Sequence, residues 1–381
     1  YQNLTRAVPT AQNATLFDWL RRLYPIWGRI GPEEIRISTK LALAELALAG
    51  ATCSSDHLYM FPNGTRLDDQ IEAAGEVGLR LHATRGAMSI GESDGGLPPD
   101  TLVEKETDIL SDSLRVIHAY HDPDPGAFIR IGLAPCSPFS VSRELMRDTA
   151  LLAREQKVRL HTHLAENEDD VKYSLDRFGL TPGNYAEDIG WTGDDVWHAH
   201  CVKLNDGEID LFQRTGTGVT HCPCSNMRLG SGIAPVRHMR DAGIKVGLGV
   251  DGSASNDSSN LLAEARQAML LQRVAFGGKA FSAREALEIA TLGGAEVLGR
   301  SDLGSLEVGK RADFAAYQTK DIVLAGAWDL VAGLVFCGPL KATYTIVEGH
   351  IVVDDGRLVT INLDNLLASH TLLTRRLIDG S

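Results

Sequence analysis

The segment HTHLAE, residues 161–166, places two histidines and a glutamate at the end of an apolar run. Histidine nitrogens and carboxylate oxygens are common zinc ligands in proteins, and a glutamate can also transfer a proton. We predict that His163 is a metal ligand, that Glu166 is a proton shuttle, and that His161 supports the layer of side chains below. A metal site needs three or four ligands, so this segment cannot form the site alone.

The next three apolar runs along the chain also end in residues that can bind a metal or move protons, namely His200, His221 and Asp251. A lone histidine at the end of a strand is more often structural than catalytic. Four consecutive strand ends that all carry such residues are, however, hard to produce by chance. We predict that Asp251 is a metal ligand and a base, that His200 is catalytic, and that His221 contacts the substrate.

The sequence CPC at residues 222–224 is a further candidate for chemistry. Its spacing differs from the CxxC of redox and zinc sites, so we interpret it as a structural feature of its loop. Zinc deaminases that edit nucleic acids combine H-x-E with P-C-x-x-C, which the sequence PCSNM at 223–227 does not match. The six cysteines are scattered over a long chain, which indicates reduced thiols and a cytoplasmic protein.

Length and charge limit the classes of partner. The 381 residues are enough for one large barrel and a minor domain. The net charge of −13 argues against a nucleic acid or an anionic membrane, but a free nucleobase carries no phosphate and stays compatible. No apolar run approaches the roughly 18 residues of a membrane span. We expect a small heterocyclic substrate as partner, and further copies of the chain in a homo-oligomer.

Seven apolar runs of strand length alternate with helical patterns, which predicts a parallel sheet. The predicted strands are residues 51–56, 79–85, 128–134, 158–163, 196–200, 218–221 and 245–250. The leading architecture is a (β/α)8 TIM-type barrel, and a doubly wound sheet is the alternative. In such a barrel the C-terminal ends of the strands form the active-site face, so the polar residues above would meet there.

The chain divides by sequence texture into three parts. We predict a metal-dependent hydrolase barrel over residues 1–300, a β-rich sandwich segment over 301–361, and a C-terminal helix over 362–381. Within the second part, residues 342–353 alternate like strands around a turn that begins at Glu348. The barrel has seven predicted strands where eight are needed, and we expect the first strand to lie before Tyr1.

Four motifs occur in a characteristic order: HTHLAE, AHC at 199–201, HCPCSN at 221–226 and GLGVDG at 247–252. Together they resemble the amidohydrolase superfamily, and within it the cytosine/guanine deaminase and triazine hydrolase branch. The segment GSLEVGKRADFAAY, which begins at Gly304, is similar to the start of that branch's C-terminal sandwich. The resemblance covers the whole chain and implies a barrel that holds one divalent metal per subunit, with Zn²⁺ expected and Fe²⁺ as the alternative.

The resemblance also implies roles for individual residues. In that branch the metal is held by an H-x-H pair on the first strand, the histidine of H-x-x-E on the fifth, and an aspartate on the eighth. This implies His163 and Asp251 as ligands, and His200 as the group that hydrogen-bonds the attacking hydroxide. No H-x-H lies upstream of His161. We therefore expect two more histidine ligands before Tyr1, and little or no activity from the chain that starts there.

Finer features resemble the members of this branch that deaminate 8-oxoguanine. By that resemblance Gln2 would contact the pyrimidine carbonyl, Tyr59 the other edge of that ring, and Cys136 the C8 side. Arg85, after the third strand, is a further candidate for a polar contact. The implied reaction is hydrolytic deamination of a 2-amino-4-oxo heterocycle of the 8-oxoguanine, guanine or isoxanthopterin type. The alternatives are a triazine-type chlorohydrolase, a deaminase of adenosine-like thioethers, and a non-catalytic, truncated binding protein.

Overall fold

The computed structural model describes residues 1–379. Its main sheet has seven parallel strands, and every strand predicted from the sequence is confirmed. The strands are β1 Cys53–Leu58, β2 Arg80–Ala87, β3 Ile129–Pro135, β4 Arg159–Leu164, β5 Val196–His200, β6 Gly218–His221 and β7 Val246–Leu248. Their order in the sheet follows the chain from β1 to β7. A doubly wound sheet reverses direction at a switch point, so this alternative is excluded.

Helices connect the strands and cover the outside of the sheet. They are α1 Leu16–Trp27, α2 Pro32–Leu48, α3 Leu67–Val77, α4 Glu106–Tyr120, α5 Arg143–Glu155, α6 Glu168–Phe178, α7 Pro182–Asp188, α8 Asp206–Thr215, α9 Pro223–Arg228, α10 Val236–Asp241, α11 Leu261–Phe276, α12 Ala283–Glu288 and α13 Gly294–Val297. The predicted start of α5 is confirmed, because the Ser142 side chain accepts a hydrogen bond from the Leu145 amide. No helix in residues 1–379 is long and apolar enough to cross a membrane.

The sheet is strongly curled. The imidazole of His57 on β1 lies 4.7 Å from that of His163 on β4, measured between ring centroids. In a flat sheet two strands three places apart would be separated by about 14 Å. The sheet must therefore bend round so that side chains of β1 and β4 meet inside it, as the walls of a TIM-type barrel do.

The barrel has an opening between its first and last described strands. Within residues 1–379, β1 and β7 are the two edges of the main sheet. A cavity of about 580 Å³ lies beside these edges and is lined by residues of β1, β7 and α2. An eight-stranded barrel has one more strand at this position.

The C-terminal part forms a separate, antiparallel sheet, as expected from its alternating sequence. Its strands are β8 Phe314–Ala316, β9 Tyr344–Val347, β10 His350–Asp354 and β11 Arg357–Leu358. The helix α14 Leu330–Phe336 lies between β8 and β9 in the chain, and α15 Leu363–Asp379 follows β11. Glu348 and Gly349 have φ values of 52° and 78°, which fits a two-residue hairpin between β9 and β10. The predicted turn is therefore confirmed.

Buried polar contacts join this sheet to the barrel. Arg80 on β2 makes two hydrogen bonds to the Asp313 carboxylate, at 2.7 and 2.8 Å, and a third contact to Glu348. The Thr345 hydroxyl donates to the Ala47 carbonyl of α2 at 2.7 Å. The division of the chain at residues 300 and 361 remains a prediction, since these contacts show packing and not independent folding.

Candidate active site

His163 lies at the C-terminal end of β4 with one ring nitrogen committed to the backbone. Its Nδ1–H donates to the Cys136 carbonyl at 2.6 Å. A proton on Nδ1 leaves Nε2 with a free lone pair, which is the arrangement found in metal-binding histidines. Burial, and then the neighbouring His200, lower the pKa of His163. The ring is therefore neutral near pH 7 and can act as a ligand.

His200 ends β5 and has a similar arrangement. Its Nδ1 lies 2.9 Å from the Asn226 side-chain oxygen, so this nitrogen carries the proton. Its Nε2 lies 3.5 Å from a carboxylate oxygen of Glu166. The rings of His200 and His163 are stacked, with centroids 5.5 Å apart. Both histidines thus direct their second nitrogen toward the same buried space.

Asp251 follows β7 and is held by two hydroxyl groups. Ser225 and Ser255 donate to its Oδ2 at 2.5 and 2.9 Å. Burial raises the pKa of Asp251, but the two histidines and the Ser225 hydroxyl outweigh this effect, so that the pKa lies below its usual value. The carboxylate is therefore charged at neutral pH.

The three side chains form a group that could bind a metal. Ligand atoms of His163, His200 and Asp251 all lie within 4.8 Å of one another. Two imidazole nitrogens and a carboxylate suit a divalent ion such as zinc, and the donor set fits one. From the sequence, His200 was expected to orient the attacking hydroxide. The geometry also makes it a candidate for direct coordination.

Glu166 lies beside this group and could act as a proton donor. It follows β4 by two residues and is almost fully buried. Burial raises the pKa of Glu166 to about 8, against the opposing effect of His163. Its carboxyl group is therefore largely protonated at neutral pH, which is the state needed to protonate a substrate.

The strand ends that carry these groups share an uncommon backbone conformation. Ala165, His200, Cys201 and Asp251 have φ between 48° and 70°, in the left-handed region that residues other than glycine seldom adopt. Each such residue costs about 1–3 kcal/mol and persists only where the surroundings enforce it. Strain of this kind clusters at functional sites, and here it aims the side chains of three strands at one point.

Three residues predicted to contact substrate lie together beside this point. Gln2, Tyr59 and Cys136 line a small cavity of about 40 Å³, together with His163 and Glu166. Burial raises the pKa of the Cys136 thiol to about 12, so it stays protonated and can act as a weak hydrogen-bond donor. The three residues come from distant parts of the chain, and they lie in one cavity as expected from the sequence.

The other two predicted substrate contacts are not supported by the structure. The Arg85 guanidinium binds Glu104 at 2.7 and 2.9 Å and Asp112 at 2.9 Å, and it lies over the Phe61 ring. Its donors are used within the protein, so we reassign Arg85 to a structural role. His221 is fully buried, and it is not part of the lining of either cavity described here.

His57 also lies at this point, although no motif identified in the sequence includes it. Its ring stacks directly on His163 and lines the larger cavity. Its position after Asp56 at the end of β1 is the signal that could have identified it, because the C-terminal ends of barrel strands carry the site. His161 was expected to support the layer below, and its ring does stack on Trp197, with centroids 4.8 Å apart.

Known proteins share both the sequence and the fold. The sequence model of the amidohydrolase family matches residues 2–352. An 8-oxoguanine deaminase from Pseudomonas aeruginosa is 46% identical over 382 residues, which cover 100% of this chain and 85% of the relative. A hydroxydechloroatrazine ethylaminohydrolase from Pseudomonas sp. is 37% identical over 372 residues, which cover 95% of this chain and 76% of the relative.

A solved structure supports the same relationship. The crystal structure of atrazine chlorohydrolase from Arthrobacter aurescens, complexed with zinc, superimposes on this chain with a TM-score of 0.94. The two share 37% sequence identity, and the match covers 98% of this chain and 85% of that one. Sequence model, relatives and fold agree, and the chain belongs to the amidohydrolase family.

Proposed function

We propose that this protein is a metal-dependent hydrolytic deaminase of a 2-amino-4-oxo heterocycle, with 8-oxoguanine as the first candidate substrate. The observation that carries the proposal is the convergence of His163, His200 and Asp251 next to a buried Glu166 whose pKa is raised to about 8. The 46% identity to an 8-oxoguanine deaminase over the full chain supports the choice of substrate.

Zinc is the proposed metal, with Fe²⁺ as the alternative. His163 and Asp251 would hold it, and His200 is close enough either to join them or to hydrogen-bond the attacking water. The zinc in the related chlorohydrolase structure supports this choice. A bound zinc ion supplies Lewis acidity, which lowers the pKa of water toward about 7.

The side chains divide the proton transfers between them. Asp251 is charged and accepts a proton from the attacking water, while His200 orients that water. Glu166 carries a proton and donates it to the ring nitrogen beside C2 as the new C2–O bond forms. Glu166 then takes up the proton of the new C2 hydroxyl, and Asp251 passes the proton from water to the amine. The C2–N bond breaks, so that ammonia leaves and C2 becomes a carbonyl carbon. Such general acid and base steps contribute typically about 10²–10⁴-fold each.

Three further residues beside His163 would recognise the heterocyclic ring of the substrate. Gln2 would hydrogen-bond the pyrimidine carbonyl, and Tyr59 would contact the opposite edge of that ring. Cys136 would face C8, where its protonated thiol favours an oxygen over a hydrogen. The location of all three beside His163 supports these assignments.

The cysteines support a reducing compartment such as the cytoplasm. All six are free thiols in the structure, including those that are fully buried. We propose this location on that basis. The homo-oligomer expected from the sequence stays a prediction.

The test is ammonia release by the intact, zinc-loaded enzyme from 8-oxoguanine, guanine, isocytosine and isoxanthopterin. We expect 8-oxoguanine to have the highest kcat/KM. A chlorotriazine is included because the related structure is a chlorohydrolase, and chloride release is measured in parallel. Preference for the chlorotriazine would overturn the deaminase proposal in favour of the chlorohydrolase alternative.

A further inference from the structure

The short helix α9 contacts two of the three converging residues at once. It begins directly after β6, within the HCPCSN motif, and its consecutive residues Ser225 and Asn226 are fully buried. Ser225 donates to the Asp251 carboxylate at 2.5 Å, and the Asn226 oxygen lies 2.9 Å from His200 Nδ1. A single helical turn after β6 therefore contacts both His200 at the end of β5 and Asp251 after β7.

The contact to His200 selects one form of its ring. An amide oxygen can only accept, so the facing Nδ1 must carry the proton. Nε2 is then unprotonated and directed toward Glu166 and His163. Without this acceptor the proton could move to Nε2, and the lone pair at the site would be lost. Asn226 thus sets the tautomer on which the role of His200 depends.

The contact to Asp251 selects one of its oxygens. Ser225 and Ser255 both donate to Oδ2, which is therefore occupied within the protein. Oδ1 keeps its lone pairs for a metal or a proton. The two hydroxyls also fix the rotation of the carboxylate, which a single donor would hold less firmly.

Glu264 on α11 anchors the turn. One of its oxygens accepts from the Cys224 backbone N–H at 3.1 Å, and the other from the Asn256 side chain at 2.7 Å. The same Asn256 amide group donates to the Val250 carbonyl at 2.6 Å, one residue before Asp251. Glu264 is almost fully buried and so links the loop after β6 to the loop after β7.

We propose that Ser225 and Asn226 are positioning residues of the active site, held in place by Glu264. They act on Asp251 and His200 and touch neither substrate nor metal themselves. This inference rests on the proposed function, since it assumes that those two residues act on a bound metal or its water. It also gives the CPC motif a role, because the Cys224 backbone N–H donates to Glu264.

The first test compares two substitutions at residue 226. Asn226→Leu removes the acceptor at nearly constant size, whereas Asn226→Asp keeps an oxygen that can only accept. The measured quantities are the Kd for Zn²⁺ by competition with a chromogenic chelator, kcat and KM. Loss of an indirect partner of a metal ligand typically weakens affinity or activity by about 10–100-fold. We expect such a loss for Asn226→Leu, mainly in Kd and kcat, and recovery to near the parent values for Asn226→Asp.

The second test removes the hydroxyl at residue 225. Ser225→Ala should weaken Zn²⁺ binding and lower kcat, and the double variant with Ser255→Ala should lose more than the product of the two single effects, because both hydroxyls hold one oxygen. Met227→Ala is the matched control, since this exposed side chain lies on the same turn. Its Kd and kcat should equal those of the parent. The melting temperature of each variant identifies a loss that comes only from unfolding.

Each result decides between distinct outcomes. If Asn226→Leu binds Zn²⁺ and turns over like the parent, the positioning role is wrong. The role is also wrong if Asn226→Asp is as impaired as Asn226→Leu while both remain folded. If the intact, zinc-loaded enzyme releases no ammonia from any substrate, the proposed function fails. A weaker Zn²⁺ affinity of Asn226→Leu would then still support the positioning role.

Discussion

The imidazole rings of His57 and His163 lie nearly parallel, with centroids 4.7 Å apart and planes 14° from each other. Each ring donates to a carbonyl at the end of β3, His57 to Ala134 and His163 to Cys136, both at 2.6 Å. Burial is the main cause that lowers the pKa of both rings, and the next cause is His163 for His57 and His200 for His163. The stack thus keeps two neutral imidazoles together, and the His163 lone pair stays available.

Glu166→Gln should abolish most turnover while the metal stays bound. Glutamine has nearly the same shape but cannot donate the proton that the carboxyl group carries, so kcat should fall by about 10²–10⁴-fold. Metal content measured by atomic emission should equal that of the parent. Glu168→Gln, two residues further on and exposed, is the control and should leave kcat unchanged. A Glu166→Gln rate within about tenfold of the parent would remove Glu166 from the role of general acid.

Cys136→Ala should reduce the preference for an oxygen at C8. One hydrogen bond is worth about 0.5–1.5 kcal/mol, so kcat/KM for 8-oxoguanine should fall by about 2–13-fold. The value for guanine should change little, because guanine has no oxygen there. Cys136→Ser keeps a donor and serves as the matched control. An equal loss for guanine and 8-oxoguanine would contradict the role of the thiol.

Arg85→Lys should lower stability without changing substrate affinity. Lysine keeps the charge but cannot reproduce the forked contacts to Glu104 and Asp112. Each charged hydrogen bond is worth about 1.5–3 kcal/mol, so thermal unfolding should move to a lower temperature. KM for 8-oxoguanine should match that of the parent. A higher KM with an unchanged unfolding temperature would restore the substrate contact expected from the sequence.

His370 should make the docking of α15 sensitive to acid. Its ring donates to the Asn3 side chain at 2.9 Å, and burial, together with Arg6, lowers its pKa from 6.5 to about 4. The unfolded chain therefore binds a proton more readily than the folded one between these values. Stability from this contact is complete above about pH 6.5 and declines as the pH falls toward 4. The melting temperature of the parent should fall faster over this range than that of His370→Gln, and parallel curves would contradict the prediction.

The sequence predicted the strands well because their signal is local. Short apolar runs that end in polar residues mark buried parallel strands, and all seven were identified. The convergence of His163, His200 and Asp251 followed from the rule that the C-terminal ends of barrel strands meet at one face. Residues at these positions were predictable because both their strand and their place along it could be determined.

The rest depended on tertiary contacts that a single sequence does not specify. Arg85 also lies near the end of a strand, but its partners Glu104 and Asp112 come from a loop and a helix more than 15 residues away. From the sequence alone, His57 cannot be distinguished from a structural histidine, because its contact with His163 depends on the curl of the sheet. The direction of a side chain at a strand end depends on such neighbours, and the pattern of residue types alone gives only its location.

The strands of the main sheet follow one another in the order of the chain from β1 to β7. Among the described residues, the proposed substrate contacts Gln2, Tyr59 and Cys136 all precede β4. His163, His200 and Asp251 lie from β4 onward. The proposed substrate contacts and the His163, His200 and Asp251 group thus occupy two successive blocks of the described chain. A library of variants that changes only the first block should alter which heterocycles and leaving groups are accepted and leave His163, His200 and Asp251 unchanged. Recombination between relatives at the segment before β4 should transfer the proposed substrate contacts together.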